Sequence, residues 1–200
     1  MTRLIVNSLK AQRGERILFQ DLSFAVSAGQ SLLIEGANGC GKTTLLRTIA
    51  GFARPDEGKI EIENNGDDAP LREQIHYVGH LDGAKGTMTV EENLAFWCRY
   101  LDGPDPGARP DPFGLETISD IPAHYLSAGQ RRKLALTRLA AVSSTVWLLD
   151  EPSVSLDSAA RKILSDLMRS HIANGGILLA TSHADLGVKF SKCLRLGAEL

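Results

Sequence analysis

Lys42 follows three spaced glycines, Gly36, Gly39 and Gly41, and precedes Thr43 and Thr44, in the stretch GANGCGKTT. The pattern G-x-x-x-x-G-K-T predicts a loop whose backbone N–H groups curl around a phosphate chain, because glycine tolerates turns that other residues resist. Ala37, Asn38 and Cys40 fill its variable positions, with Gly39 between them adding freedom to curl. Lys42 would reach the β and γ phosphates, and the Thr43 hydroxyl would sit on Mg²⁺. Cys40 reads as an inert small residue. A second pair, Asp150 and Glu151, ends the apolar run VWLLDE. A carboxylate at the end of a buried strand stands beside a metal site, and an acid one residue further on can polarise a water. Alone, the pair would simply begin a loop at Pro152. Together with the phosphate loop it completes one nucleotide site.

A third stretch, LSAGQ at 126–130, is a surprise in a chain that already has a phosphate loop. Ser127 and Gln130 have the spacing of a capping box, so the stretch reads first as a helix N-terminus. An N-terminus of this kind, with Gly129 close by, is also an anion site.

These residues need a scaffold. LIVNSL, RILF and LSFAVS are short strand patterns; Leu22, Phe24 and Val26 alternate with Ser23 and Ala25. SLLIEG is a buried strand leading into the phosphate loop, and KTTLLRTIA is the helix leaving it, with Gly51 as its C-cap. KIEIE is a further strand. TVEENLAFWCRYL begins with a Thr89/Glu92 capping box and spaces Val90, Leu94, Trp97 and Leu101 helically. DGPDPGARPDP holds four of the eight prolines and is expected to be an exposed loop. A helix follows from Ser127 to about Val142. TVWLLDE and ILLATSH are buried strands around a helix that Asp157 caps and Gly175–Gly176 stop. The expectation is one α/β domain over 1–200, with a mostly parallel sheet. Its core and an N-terminal antiparallel β subdomain take 1–79 and 143–200; a small helical subdomain takes about 80–142.

Composition narrows the class. The chain has 200 residues, 43% hydrophobic and 23% charged, which suits a water-facing globular domain. A net charge of −2 gives no reason to expect a nucleic-acid partner. Cys40, Cys98 and Cys193 have no metal-ligand spacing and form no disulfide framework. No apolar stretch is long enough for a secretory leader or a membrane span, so membrane work would need a recruiting partner.

With LSAGQ just upstream of the Asp-Glu strand, nearly the whole chain resembles the ATP-binding-cassette family, whose signature is L-S-G-G-Q; Ala128 replaces one glycine. SLD at 155–157 resembles the family's dimer-contact loop, and His183 its switch histidine at the γ-phosphate. The resemblance implies a P-loop NTPase core and an ATPase that uses ATP and Mg²⁺. It also implies a head-to-tail homodimer in the ATP-bound state. Each ATP would lie between one copy's phosphate loop and the other's Ser127, Ala128, Gly129 and Gln130, with Asp157 at the dimer contact, Thr43 and Asp150 on the metal and Glu151 as the catalytic acid.

Two positions depart from the family pattern. Where most cassettes place a Gln after IHYVG, this chain has His80, which either takes that role or is an ordinary loop histidine. No aromatic precedes Phe19, so adenine contact falls to an aliphatic side chain or to Arg13, with weak base discrimination. YVGHLDGAKGTMTVEENL at 77–94 is similar to the ATPase subunits of cytochrome c biogenesis heme exporters. That similarity places His80, Gly83 and Lys85 near integral membrane subunits. It puts the chain peripherally on the cytoplasmic face of a bacterial inner membrane, driving heme export or release of a heme-loaded carrier. With no C-x-x-C-H motif, heme would be handled by the partners, not by His76 or His80. The alternatives are an ATPase of another small-solute transporter, or a soluble cassette regulator, which usually carries two cassettes or a coiled-coil insert.

Overall fold

The computed structural model describes residues 2–63, 70, 73–101 and 110–197. A hairpin of β1 (Arg3–Arg13) and β2 (Arg16–Ser27) is joined on the far side of β1 by β4 (Glu57–Glu63), giving an antiparallel sheet in the order β2-β1-β4. The short strands expected at 4–9, 16–19 and 22–27 are parts of two long ones. Register shifts between Val6, Leu9 and Ala11 interrupt the alternation, and Ser8 and Asp21 adopt positive φ there. Such bulges hide a continuous strand from a period-2 reading.

The second sheet holds β3 (Ser31–Glu35), β5 (Ile75–Val78), β6 (Val146–Asp150), β7 (Ile177–Thr181) and β8 (Lys192–Arg195). Its order is β5-β6-β7-β3-β8, and every pairing is parallel. β6 and β7 are buried along their whole length, as a strand covered on both faces must be. β8 was not anticipated. It is a mostly exposed edge, and KCLR has no apolar run to announce it.

Four α-helices, α1 (Lys42–Ile49), α2 (Val90–Tyr100), α3 (Ala128–Ala141) and α4 (Ser158–Ala173), flank the sheets among the described residues. Both predicted capping boxes form, at Thr89/Glu92 and Ser127/Gln130, and the Asp157 carboxylate accepts from Ala160 N. α1 ends one residue earlier than expected: Ala50 is the C-cap, and Gly51 follows it with φ 77°. Most of the proline-rich stretch, 102–109, lies outside the described residues.

Two apolar clusters meet at the parallel sheet. One joins α1 to both sheets through Leu4, Ile34, Leu45, Leu46, Leu148 and Leu179. The other joins α2, α3 and α4 to the opposite face through Leu94, Leu136, Leu149, Leu164 and Leu178. The 80–142 segment therefore shares a core with the sheet. β6 sends Leu148 into one cluster and Leu149 into the other, so Asp150 at its end is held from both sides. Truncating either leucine would cost roughly 2–5 kcal/mol. Among the described residues no helix is long and apolar enough to cross a membrane.

Candidate active site

β3, β6 and β7 end on the same edge, where ligands of open parallel sheets gather. The loops that leave them, 36–41, 150–151 and 182–183, converge on a groove of ≈ 840 Å³ that contains Lys42, Thr43, Thr44, Asp150, Glu151 and His183.

The phosphate loop is built around close approaches. A Cβ on Gly36 would lie 2.5 Å from the Leu196 carbonyl oxygen and 2.6 Å from Cys40 Sγ, so no side chain fits there. Gly39 is a glycine for a different reason. A Cβ there would meet no neighbouring group within 4 Å, but its φ of 77° is one that side-chain-bearing residues resist. Gly41 caps α1 at φ 109° with no side-chain cap, which leaves the first N–H groups of α1 to an anion. Of the anticipated loop residues, Asn38, Gly39 and Gly41 line the groove with Lys42, Thr43 and Thr44. Gly36, Ala37 and Cys40 do not; Gly36 and Ala37 instead offer carbonyls to Lys42, and Cys40 is buried in the core beneath the loop. Lys42 is 9% exposed and donates to those carbonyls at 2.7 Å and 3.2 Å. Its ammonium is held against the loop that would wrap the phosphates.

Asp150 is 2% exposed, and both its oxygens are engaged. Oδ2 accepts from the Thr43 hydroxyl at 2.7 Å, and Oδ1 accepts from the Thr181 hydroxyl at 2.7 Å. Thr181, the last residue of buried β7, was not anticipated. Glu151 has φ 47°, a left-handed backbone that costs a side-chain-bearing residue about 1–3 kcal/mol. Its N–H donates to Thr181 O and Oγ1. Glu151 Oε2 accepts from His183 N at 3.3 Å, while Oε1 is buried with no hydrogen-bond partner, 3.6 Å from His183 Nε2. Asn38 Oδ1 lies 3.1 Å from the same Nε2, a contact that requires the proton on that nitrogen. One buried carboxylate oxygen thus has no hydrogen bond and stands within ion-pair reach of the histidine.

The oxygen pair of Thr43 and Asp150 fits Mg²⁺. This hard ion keeps most of its ligands as water and substrate phosphate and needs only one or two from protein. Tyr77 stays neutral nearby: burial, then the Asp150 charge, push its pKa up to about 12.

Other anticipated residues lie elsewhere. Ser127, Ala128, Gly129 and Gln130 do not line the groove; their caps are satisfied within α3, and a Cβ on Gly129 would meet the Ser155 carbonyl at 2.8 Å. Asp157 caps α4, and its bond to Lys133 holds its carboxyl below the usual range. His80 is exposed just past β5, outside the groove lining. The loop it begins is ordered by buried Asn93, which accepts from Lys85 N and donates to the carbonyls of Lys85, Met88 and Thr89. Lys85 lies over the Phe96 ring at 4.5 Å, and Leu81 is 86% exposed. Arg13, Arg16, Leu18, Arg47 and Ala53 also line the groove, and among the described residues no Phe, Tyr or Trp does.

A family model described as ABC transporter matches residues 19–154. The cytochrome c biogenesis ATP-binding export protein CcmA of Rhizobium meliloti is 41% identical over 203 residues, covering 97% of each chain. The chain belongs to the ATP-binding-cassette transporter family, among its cytochrome c biogenesis ATP-binding export proteins. The cassette shares its fold with a solved ATP-binding subunit of an ABC transporter, at TM-score 0.79 and 27% identity over 90% of this chain and 79% of that one. A dimeric post-hydrolysis cassette bound to ADP and Pi gives TM-score 0.75 at 21% identity, over 90% of this chain and 88% of that one. Family membership makes the cassette an ATPase.

Proposed function

We propose that this ATPase works as a pair of chains against integral membrane subunits. ATP binding closes the pair, and hydrolysis reopens it to drive heme export or release of a heme-loaded carrier. The observation that carries the pairing is the separation of the two anion-binding elements. Lys42, Thr43, Asp150, Glu151 and His183 share one groove, while the exposed, capped N-terminus of α3 stands outside it. A second copy, turned head to tail, supplies Ser127, Gly129 and Gln130 to that groove.

In this reading Lys42 holds the β and γ phosphates, and the N–H groups of Gly39, Gly41 and the first turn of α1 receive their charge. Bound at Thr43 and Asp150, Mg²⁺ supplies charge neutralisation at the phosphates. Glu151 orients the attacking water and takes its proton through Oε1, which has no hydrogen-bond partner. His183 donates Nε2–H toward the γ-phosphate in place of Asn38. Asp157 lies at the dimer contact, and His80 in the partner-facing loop. The segment 80–142 acts as the helical subdomain, and its 80–88 loop, which carries exposed Leu81, meets the membrane subunits from the cytoplasmic side. The names of the relatives support the export role in cytochrome c biogenesis.

Glu151→Gln tests the pairing. With ATP and Mg²⁺ this variant should elute at twice the 21.6 kDa mass of one chain; monomer alone would overturn the pairing. Tagged protein purified from solubilised membranes should bring down polytopic cytochrome c maturation subunits. Other permease subunits in their place would remove the heme assignment.

A further inference from the structure

One guanidinium ties three parts of the cassette together. Arg132 lies on α3, two residues past Gln130, and is 4% exposed. Its Nη2 donates to the carbonyls of Asp150 at 3.0 Å and Glu151 at 2.8 Å, and its Nε to that of Pro152 at 3.1 Å. Its Nη1 donates to the Gly79 carbonyl at 2.6 Å and faces Asp82 Oδ1 at 3.4 Å. Three consecutive carbonyls thus come from the segment that carries Glu151. The remaining two acceptors flank His80, in the loop leaving β5.

The arrangement is specific to a planar fork. Guanidinium offers five N–H donors in fixed directions, whereas an ammonium offers three around one point. A buried charge with one carboxylate at 3.4 Å is compensated mainly by carbonyl dipoles, so those carbonyls are held firmly. The central one belongs to Glu151, whose φ of 47° must be maintained by its surroundings. Thr181 holds the N–H of that residue and Arg132 holds its carbonyl.

We propose that Arg132 is a positioning residue for hydrolysis: it fixes the Glu151 backbone and makes that geometry depend on the 79–82 loop. This rests on the reading of Glu151 as the group that orients water and of the loop as partner-facing. Displacing Gly79 or Asp82 re-aims Nη1, and Nη2 on the same rigid plane shifts against Asp150 and Glu151. A membrane subunit pressing on the loop thereby gains leverage on the hydrolysis site without touching nucleotide.

The test uses the full-length cassette and measures steady-state ATP turnover beside equilibrium binding of a fluorescent ATP analogue. Arg132→Ala should lower kcat about 100-fold while nucleotide affinity stays within about 3-fold, the mark of a group acting after binding. Guanidinium at sub-denaturing concentration should restore turnover by about 10-fold, and sodium at equal ionic strength should not. Arg132→Lys, which keeps charge and stem, should be as slow as Arg132→Ala and carries the test if the alanine variant does not fold. Wild-type kcat in Arg132→Lys would overturn the proposal. So would a joint loss of kcat and affinity without guanidinium rescue, which marks a scaffold role. Glu151→Gln is assayed alongside. If it turns over like wild type, the reading of Glu151 has failed; if it is dead while Arg132→Lys is fully active, the inference about Arg132 alone has failed.

Discussion

Two cavities of nearly equal size lie at opposite ends of the parallel sheet. One, of ≈ 840 Å³, lies past the C-terminal ends of β3, β6 and β7 and collects Lys42, Thr43, Asp150, Glu151 and His183. The other, of ≈ 870 Å³, lies before the N-terminal ends of β5, β6 and β7 and is lined by Gln74, Ser144, Thr145, Trp147, His171 and Gly176, among others. Volume does not separate them. Chemistry does. At the C-terminal end a helix N-terminus without a side-chain cap, an ammonium and two carboxylates face one space. At the N-terminal end the rings close on each other. Trp147 and His171 stack with centroids 4.0 Å apart and 5° between planes, and His171 Nε2 lies 3.1 Å from the Ile177 carbonyl oxygen. Parallel strands aim the helix N-termini that follow them at one edge only, so the two ends differ even when their cavities match.

The largest effect should come from the C-terminal end. Lys42→Ala removes the one ammonium among the described residues of the groove lining, held at Gly36 and Ala37. Turnover should fall by a factor of about 100 or more, because the charge it would place on the phosphates matters most in the transition state. The melting temperature should stay within a few degrees. Unchanged hydrolysis would dissolve the contrast between the two ends, since the phosphate loop would then be only a turn.

The N-terminal end should answer to acid instead. His76 on β5 is buried, pairs in register with Trp147 and has Nδ1 without a hydrogen-bond partner. Burial, then the Arg138 charge and His171, pull its pKa down to about 4. Burial also lowers His171. A histidine depressed in the fold binds fewer protons there than in the unfolded chain between pH ~4 and ~6.5. Its contribution is therefore present above ~6.5 and is lost as pH falls toward ~4. For His76 the loss is at most about 3 kcal/mol. Denaturant midpoints should drop over that window, and His76→Leu should flatten the acid limb without slowing turnover at pH 7.5. An unchanged limb in that variant would remove His76 as its source.

The same contrast explains what was legible in the sequence. Everything local was: the glycine loop before α1, the acids closing β6, both capping boxes and the Asp157 cap. Each is a short pattern whose meaning lies within a few residues. Even so, the pattern alone does not separate Gly36, shut in by Leu196 and Cys40, from Gly39, which is open to the groove. What was hidden depends on contacts across the chain. Arg132 drew no notice in the sequence, because the Asp150–Pro152 carbonyls it reaches lie 18 to 20 residues further along the chain. Thr181 is unreadable without the β6–β7 register that sets it beside Asp150. Asn93 is hidden in the helical spacing of α2, although it orders the loop at 85–89. β8 and the bulged strands were lost because an edge and a register shift both erase alternation. His80 was singled out for its place after β5, and in the fold it is exposed and lies outside the groove lining.

The smallest effect is the sharpest control on the comparison. Ser170 lies on the exposed side of α4 and borders the N-terminal cavity, where Asn174 reaches it at 3.4 Å. Ser170→Trp places a bulky indole at the border of that space and disturbs no buried contact. If the cavity is only the gap left where α4 passes the strand starts, turnover and nucleotide affinity should stay within about 2-fold, and stability within about 0.5 kcal/mol, as for surface substitutions generally. A loss of turnover beyond about 10-fold at unchanged stability would mean that the N-terminal end also acts in the cycle. The Trp147–His171 stack would then be the place to look, because Trp147 also carries a buried Nε1 with no hydrogen-bond partner, at the far end of the strand that presents Asp150. A bulky ring set into one cavity of a matched pair therefore tests whether the asymmetry of the sheet, or the mere presence of space, determines where this protein works.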